Sequence, residues 1–146
     1  MNDRMNNVTN DKVNDAESFR AILTLLDNYF EGLYQADSAL LATLFHPKAQ
    51  YVNTVSDDYR VLTLAEYKTV LDQRVAPAIT GEQRNDRIVS IEIGDKNLAF
   101  VRAEMTMMGR LYTDFLTLIF YEEQWLIISK VFHYTPNDKH IAHKGN

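Results

Sequence analysis

Cysteine is absent from the chain, which excludes a disulfide framework and any thiolate chemistry. No apolar run reaches the roughly 18 residues that a membrane-spanning helix needs. The opening Met1-Asn2-Asp3-Arg4-Met5-Asn6-Asn7 lacks the apolar stretch of a signal peptide, so the cytoplasm is the default compartment. An excess of basic charge is missing too. The net charge of −5 argues against nucleic acid or an anionic membrane as partner, because both repel an acidic protein. No glycine-rich phosphate loop, nucleophile elbow or zinc-ligand spacing occurs, so no cofactor or metal is indicated. Internal repeats and low-complexity tracts are also lacking.

What remains is an ordinary globular composition over 146 residues, long enough for one domain with a real core. Residues 1–14, rich in Asn and Asp, read as a flexible leader. A first helix is expected from Asn14 or Asp15, with Glu17 as capping-box partner of Asn14. Phe19, Ile22, Leu23, Leu26, Tyr29, Phe30, Leu33 and Tyr34 form its apolar stripe, opposite Glu17, Arg20, Asp27 and Glu31. Asp37 reads as the N-cap of a short helix that runs from Ser38 to Phe45 and is stopped by Pro47. Short strands follow at Ala49–Asn53 and Tyr59–Leu62. Thr63 and Glu66 then form a capping box opening a third helix, with Leu64, Tyr67, Val70 and Leu71 on one side. Pro77 and Gly81 mark its end.

From Arg87 the pattern changes to long strands: Arg87–Ile93, Leu98–Met108, Leu111–Tyr121 and Trp125–Tyr134. Gly94-Asp95-Lys96-Asn97, Gly109-Arg110 and Glu122-Glu123-Gln124 are the expected turns, the second as type II′ with Gly first. Pro136 onward is a polar tail. Helices first and antiparallel strands last give a segregated α+β layout, a curved sheet wrapped around the long first helix. The folded unit is expected over 15–135. Both faces of the strands carry apolar side chains, so each face needs a cover.

Several segments together, Tyr29-Phe30-Glu31-Gly32 with Asp37, Phe45-His46-Pro47-Lys48-Ala49, Tyr112-Thr113-Asp114-Phe115-Leu116 and Trp125 through His133, resemble the putative lumazine-binding family. That family belongs to the nuclear transport factor 2-like superfamily, and the resemblance covers roughly 15–135. It implies an α+β cone with two shorter helices, a pocket inside the cone for a small, partly apolar molecule, and a homodimer. Function varies widely across the superfamily, so the resemblance does not assign one. By likeness to the superfamily's ketosteroid isomerases, Tyr112, Asp114, Leu116, Leu118 and Phe120 face the cone, while Thr113, Phe115, Thr117, Ile119 and Tyr121 face out. The same comparison turns Trp125, Ile127, Ser129, Val131 and His133 inward and Lys130 outward.

Asp114 is then a carboxylate among apolar walls, a candidate general acid or base with His133, or an anchor for a ligand's amide or hydroxyl. A plain structural pairing of Asp114 is the alternative. His46, before Pro47, reads as a turn residue. His140 and His143 are too few for a metal site. Tyr29, Tyr51, Tyr67 and Tyr112, with Asn53, Met105 and Leu116, are the expected ligand-binding set; Met107 and Met108 read as wall filling. Tyr29 precedes Asp37 at the offset of the isomerases' oxyanion-hole tyrosine. Asn53 and Leu116, however, stand where those enzymes carry their base and buried acid, which argues against steroid-isomerase chemistry. Three functions stay open: a ligand-binding protein, a lyase or isomerase using Asp114 and His133, and a non-catalytic interaction module. Phe100, Phe115, Ile119, Leu126, Ile128 and Phe132 are expected on the outer sheet face, where a second copy is the simplest cover.

Overall fold

The computed structural model describes residues 2–137, with side chains from Asp15 onward. Helix α1 runs Asn2–Gln35. Its backbone is thus helical well before the expected start at Asn14 or Asp15, because neither glycine nor proline interrupts the chain before Gly32. The buried stripe is Ile22, Leu25, Leu26, Tyr29, Phe30 and Leu33, whereas Phe19 and Leu23, counted in the expected stripe, are exposed. Ala36, at φ 48°, ends the helix in a left-handed cap. There the Asp37 N–H donates to the Gly32 carbonyl and the Ala36 N–H to that of Leu33.

Asp37 next caps α2 (Ser38–Leu44), its Oδ1 accepting from the Leu40 N–H at 3.0 Å. Strands β1 (Phe45–Asn53) and β2 (Arg60–Thr63) follow. Helix α3 (Leu64–Asp72) opens on the anticipated capping box of Thr63 and Glu66, and it stops well before Pro77. The long strands are β3 (Asn85–Asp95), β4 (Leu98–Met107), β5 (Arg110–Tyr121) and β6 (Gln124–Pro136). They form one sheet in the order β2-β1-β6-β5-β4-β3, with β1 parallel to β6 and every other pair antiparallel.

Two turns differ from expectation. Met107 pairs with Arg110, so the turn is Met108-Gly109, both at positive φ (54° and 72°), the type I′ pattern rather than II′ at Gly109-Arg110. Tyr121 pairs with Gln124, leaving the two-residue turn Glu122-Glu123 at φ 49° and 66°.

A third difference decides the interior. Leu118 pairs with Ile127 but Thr117 pairs with Ser129, so Ile128 is an extra residue in β6. Past it every side chain changes face. Lys130, Phe132 and Tyr134 therefore share the inner face with Tyr112, Asp114 and Leu116, while Ser129, Val131 and His133, expected inward, lie outside. Lys130, expected outside, is 5% exposed. Phe132, assigned to the outer face, is buried, as is Leu126.

The core fills the space between α1 and the inner sheet face, with Val101, Leu116, Leu118 and Ile127 fully enclosed. Gly32 lets α2 approach α1 closely, since a Cβ there would lie 2.7 Å from Leu41 Cγ. Gly32→Ala is expected to cost about 1–3 kcal/mol through this overpacking, read as a lower midpoint in urea unfolding.

Candidate functional site

At one end of the inner face β1 and β6 finish and β2 and β5 begin, so their polar residues converge there. Asp114, on β5, is 1% exposed. The Tyr29 hydroxyl, brought across from α1, donates to Asp114 Oδ2 at 2.5 Å. Lys130 Nζ lies 3.9 Å from the same oxygen and donates to the Tyr67 hydroxyl at 3.2 Å. The ammonium also sits 5.1–5.6 Å from the ring centres of Tyr29, Tyr51, Tyr67 and Phe132. Asp114 Oδ1 is buried and has no hydrogen-bond partner among the described residues.

Above this pair runs a cleft lined by Tyr51, Tyr67, Tyr112, Phe132 and Tyr134, and by Asn53, Asp58, Arg60, Arg74, Arg110, Met107, Asp114 and Lys130. Its volume open to water is about 30 Å³. By the usual allowance of about 10–15 Å³ per water, that is room for two or three. The rings are fixed against one another: Tyr51 stacks on Tyr67 at 4.4 Å, and Phe132 lies 4.9 Å from Tyr51 and 6.1 Å from Tyr112. Toward the rim, Asp58 Oδ2 accepts from the Tyr134 hydroxyl at 2.7 Å and from Asn53 Nδ2 at 2.9 Å, and its Oδ1 pairs with Arg60 at 3.0 Å. The Tyr134 hydrogen bond, with help from Arg60 and Asn53, holds the Asp58 carboxyl below the usual carboxylate range. Arg110 lies 4.0 Å over the Tyr134 ring and donates to the Tyr112 hydroxyl at 3.2 Å.

Of the expected site residues, Tyr51, Asn53, Tyr67, Tyr112 and Asp114 line this cleft, and Tyr29 stands behind Asp114. Asn53 spends both ends of its amide locally, donating to Asp58 and accepting from the Val55 N–H at 3.0 Å. It orders the 54–59 turn. Leu116 is a core residue, and Met105 lines grooves elsewhere on the molecule rather than the cleft. The expected pair of Asp114 and His133 does not form, because the bulge puts His133 on the exposed face, 3.0 Å from Thr54 Oγ1. His46 behaves as a turn residue, its Nδ1 accepting from the Lys48 N–H at 3.0 Å. His140 and His143 lie outside the described residues, among which no group of metal-ligating side chains occurs.

Sequence reasoning missed Lys130, Phe132, Tyr134, Asp58 and the three arginines. For the β6 residues the available signal was Trp125-Leu126-Ile127-Ile128, four apolar residues in a row, which break strict alternation. The arginines carry no such signal.

Residues 17–133 match the model of the family described as "Putative lumazine-binding". A nuclear transport factor 2-like protein of unknown function from Silicibacter pomeroyi is 22% identical, with a TM-score of 0.73 over 83% of this chain and 98% of its own. One from Shewanella baltica is 25% identical, with a TM-score of 0.74 over 83% and 96%. A ketosteroid isomerase-like protein from Erwinia carotovora atroseptica is 14% identical, with a TM-score of 0.64 over 80% and 96%. These likenesses establish the fold as the α+β cone of that superfamily. No curated protein matches the chain.

Burial pushes the phenols of Tyr29, Tyr51 and Tyr67 above the ordinary tyrosine value, Tyr29 the more so beside Asp114. They stay protonated donors at neutral pH. A pKa raised in the folded state makes stability complete below the unfolded value of about 10 and lost as pH climbs toward the folded value. Alkaline titration should therefore show near-ultraviolet phenolate absorbance for these three only as circular dichroism reports unfolding.

Proposed function

The chain belongs to the "Putative lumazine-binding" family, and from this premise we propose that it binds a small, partly apolar molecule in the cleft, a hydrogen-bond donor of the ligand resting on Asp114. The observation that carries this reading is Asp114 Oδ1, buried and without a partner among the described residues while Oδ2 is held by Tyr29. An unsatisfied buried acceptor costs about 1–3 kcal/mol, and more when charged, which a ligand O–H or N–H recovers. The surrounding tyrosine and phenylalanine rings supply flat apolar walls. Lyase or isomerase chemistry through Asp114 and His133 loses its support, since those side chains are on opposite faces of the sheet.

One observation favours a second reading, an interaction module with a filled cone. The cleft's 30 Å³ is far below the roughly 300–1,000 Å³ of typical ligand sites. A drug-sized ligand would need lining side chains to move, and Arg74, Arg110 and Tyr134 are among the half-exposed ones.

The outer face bears on both readings. Phe100 and Phe115 are each 41% exposed and in mutual contact at 5.7 Å, with Ile119 and Ile128 partly covered beside them. A second copy packed sheet to sheet is the cover this patch calls for. Phe132 takes no part in it, being inside.

Native mass spectrometry of protein purified from its source is expected to show a small non-covalent adduct, and Asp114→Asn, which keeps an acceptor for Tyr29, should lose it. An adduct retained by Asp114→Asn, or none on the wild type, overturns the binding reading. Phe115→Lys should convert a dimer to monomer or aggregate in light scattering; an unchanged dimer removes this face from the interface.

A further inference from the structure

We propose that the ligand is an anion of the carboxylate class, with its charge held at the cleft's rim by Arg74; this rests on the binding reading above. Four cations line the cleft, Arg60, Arg74, Arg110 and Lys130, against two carboxylates, Asp58 and Asp114. The excess is local, for the whole chain carries −5. A cleft opposite in sign to its protein is built for something other than the protein's own charge balance.

Asp58 and the Oδ2 of Asp114 are already committed, as are three of the cations, while Asp114 Oδ1 is left open. Asp58 holds Arg60, Tyr134 and Asn53, and Asp114 holds Tyr29 and Lys130. Lys130 has its tyrosine and rings, and Arg110 has Tyr112 and the face of Tyr134. Arg74, in the turn after α3, lines the same cleft but makes no side-chain hydrogen bond or ion pair among the described residues. Its charge nevertheless reaches the Tyr51 and Tyr67 hydroxyls, favouring their ionised forms against burial. A half-exposed guanidinium beside a ring-lined cleft presents a planar fork of donors, and a carboxylate is the group whose two oxygens match it. The same molecule's hydroxyl or amide then meets Asp114, so the site reads both a charge and a donor.

The test titrates the full chain by calorimetry with 4-hydroxybenzoate and 4-hydroxybenzamide, which share ring and hydroxyl and differ in charge. The benzoate is expected to bind at least about tenfold more tightly, as one charge-assisted hydrogen bond warrants, and the advantage should shrink with added salt. Arg74→Gln should bring the ratio near one by weakening the benzoate far more than the benzamide; Arg74→Lys should restore part of the ratio. Equal affinities in the wild type, or a ratio that survives Arg74→Gln, overturns the carboxylate assignment. If the benzamide still binds and Asp114→Asn abolishes that binding, the small-molecule reading stands without it. Inorganic phosphate displacing the benzoate at matched ionic strength overturns the carboxylate preference in favour of anions generally. No binding of either probe overturns the assignment, and an absent native adduct then removes the binding reading as well.

Discussion

Ile128 has no partner on β5, and the chemistry of the interior follows from that one unpaired residue. With an unbroken ladder, β6 would present Ser129, Val131 and His133 to α1, and Asp114 would lose Lys130, the cation 3.9 Å from its Oδ2. The bulge substitutes Lys130, Phe132 and Tyr134. Burying an ammonium and a carboxylate costs several kcal/mol per ion, which their attraction offsets only when other contacts satisfy both. Here the Tyr67 hydroxyl and four ring faces supply those contacts for Lys130, and the Tyr29 hydroxyl supplies one for Asp114 Oδ2, leaving Oδ1 unmatched. Lys130 and Asp114 are therefore interdependent. Losing either leaves the other a buried charge without its counter-ion.

The aromatic side chains divide the cleft into a fixed floor and an adjustable rim. Tyr51 from β1 contacts Tyr67 from α3 at 4.4 Å and Phe132 from β6 at 4.9 Å, so rings from three elements hold one another's rotamers. Phe45 extends the cluster, 5.8 Å from Tyr67 and 6.4 Å from Tyr29. The arginines instead hold the ends of flexible, partly solvated side chains. The cleft thus has fixed walls in its depth and, at its entrance, side chains that reorganise at small cost.

The layout was legible in the sequence because its signals are local. The Thr63–Glu66 box, the Asp37 cap and the even alternation of Tyr112 to Leu118 each depend on residues a few positions apart. The phase of β6 was not legible. Trp125-Leu126-Ile127-Ile128 is apolar at every position, so alternation carries no phase through it, and an inward Trp125 extrapolates to an inward His133. The same error moved Phe132 to the wrong face and Lys130 out of the site. Arg60, Arg74 and Arg110 escaped for another reason: they belong to three distant segments, joined only by a sheet order in which β1 lies parallel beside β6. The early helix start was not legible because residues 1–14 are almost free of apolar side chains and so carry no helical stripe, while the lack of glycine and proline leaves the backbone free to continue the helix.

The two positions where the isomerases of this superfamily hold acids bear on what Asp114 does. Asn53 is consumed by its own turn, and Leu116 is fully buried among apolar side chains. The buried interior thus holds a single carboxylate among the described residues. Moving a proton between two points of a substrate calls for a group that releases it as readily as it takes it. Asp114's nearest hydroxyl, that of Tyr29, has its pKa pushed well above the ordinary value, which makes it a donor that keeps its proton. With Oδ2 fixed by Tyr29 and approached by Lys130, Asp114 cannot turn freely, and Oδ1 is left as one oriented acceptor. That arrangement favours holding a donor group in place over passing a proton along.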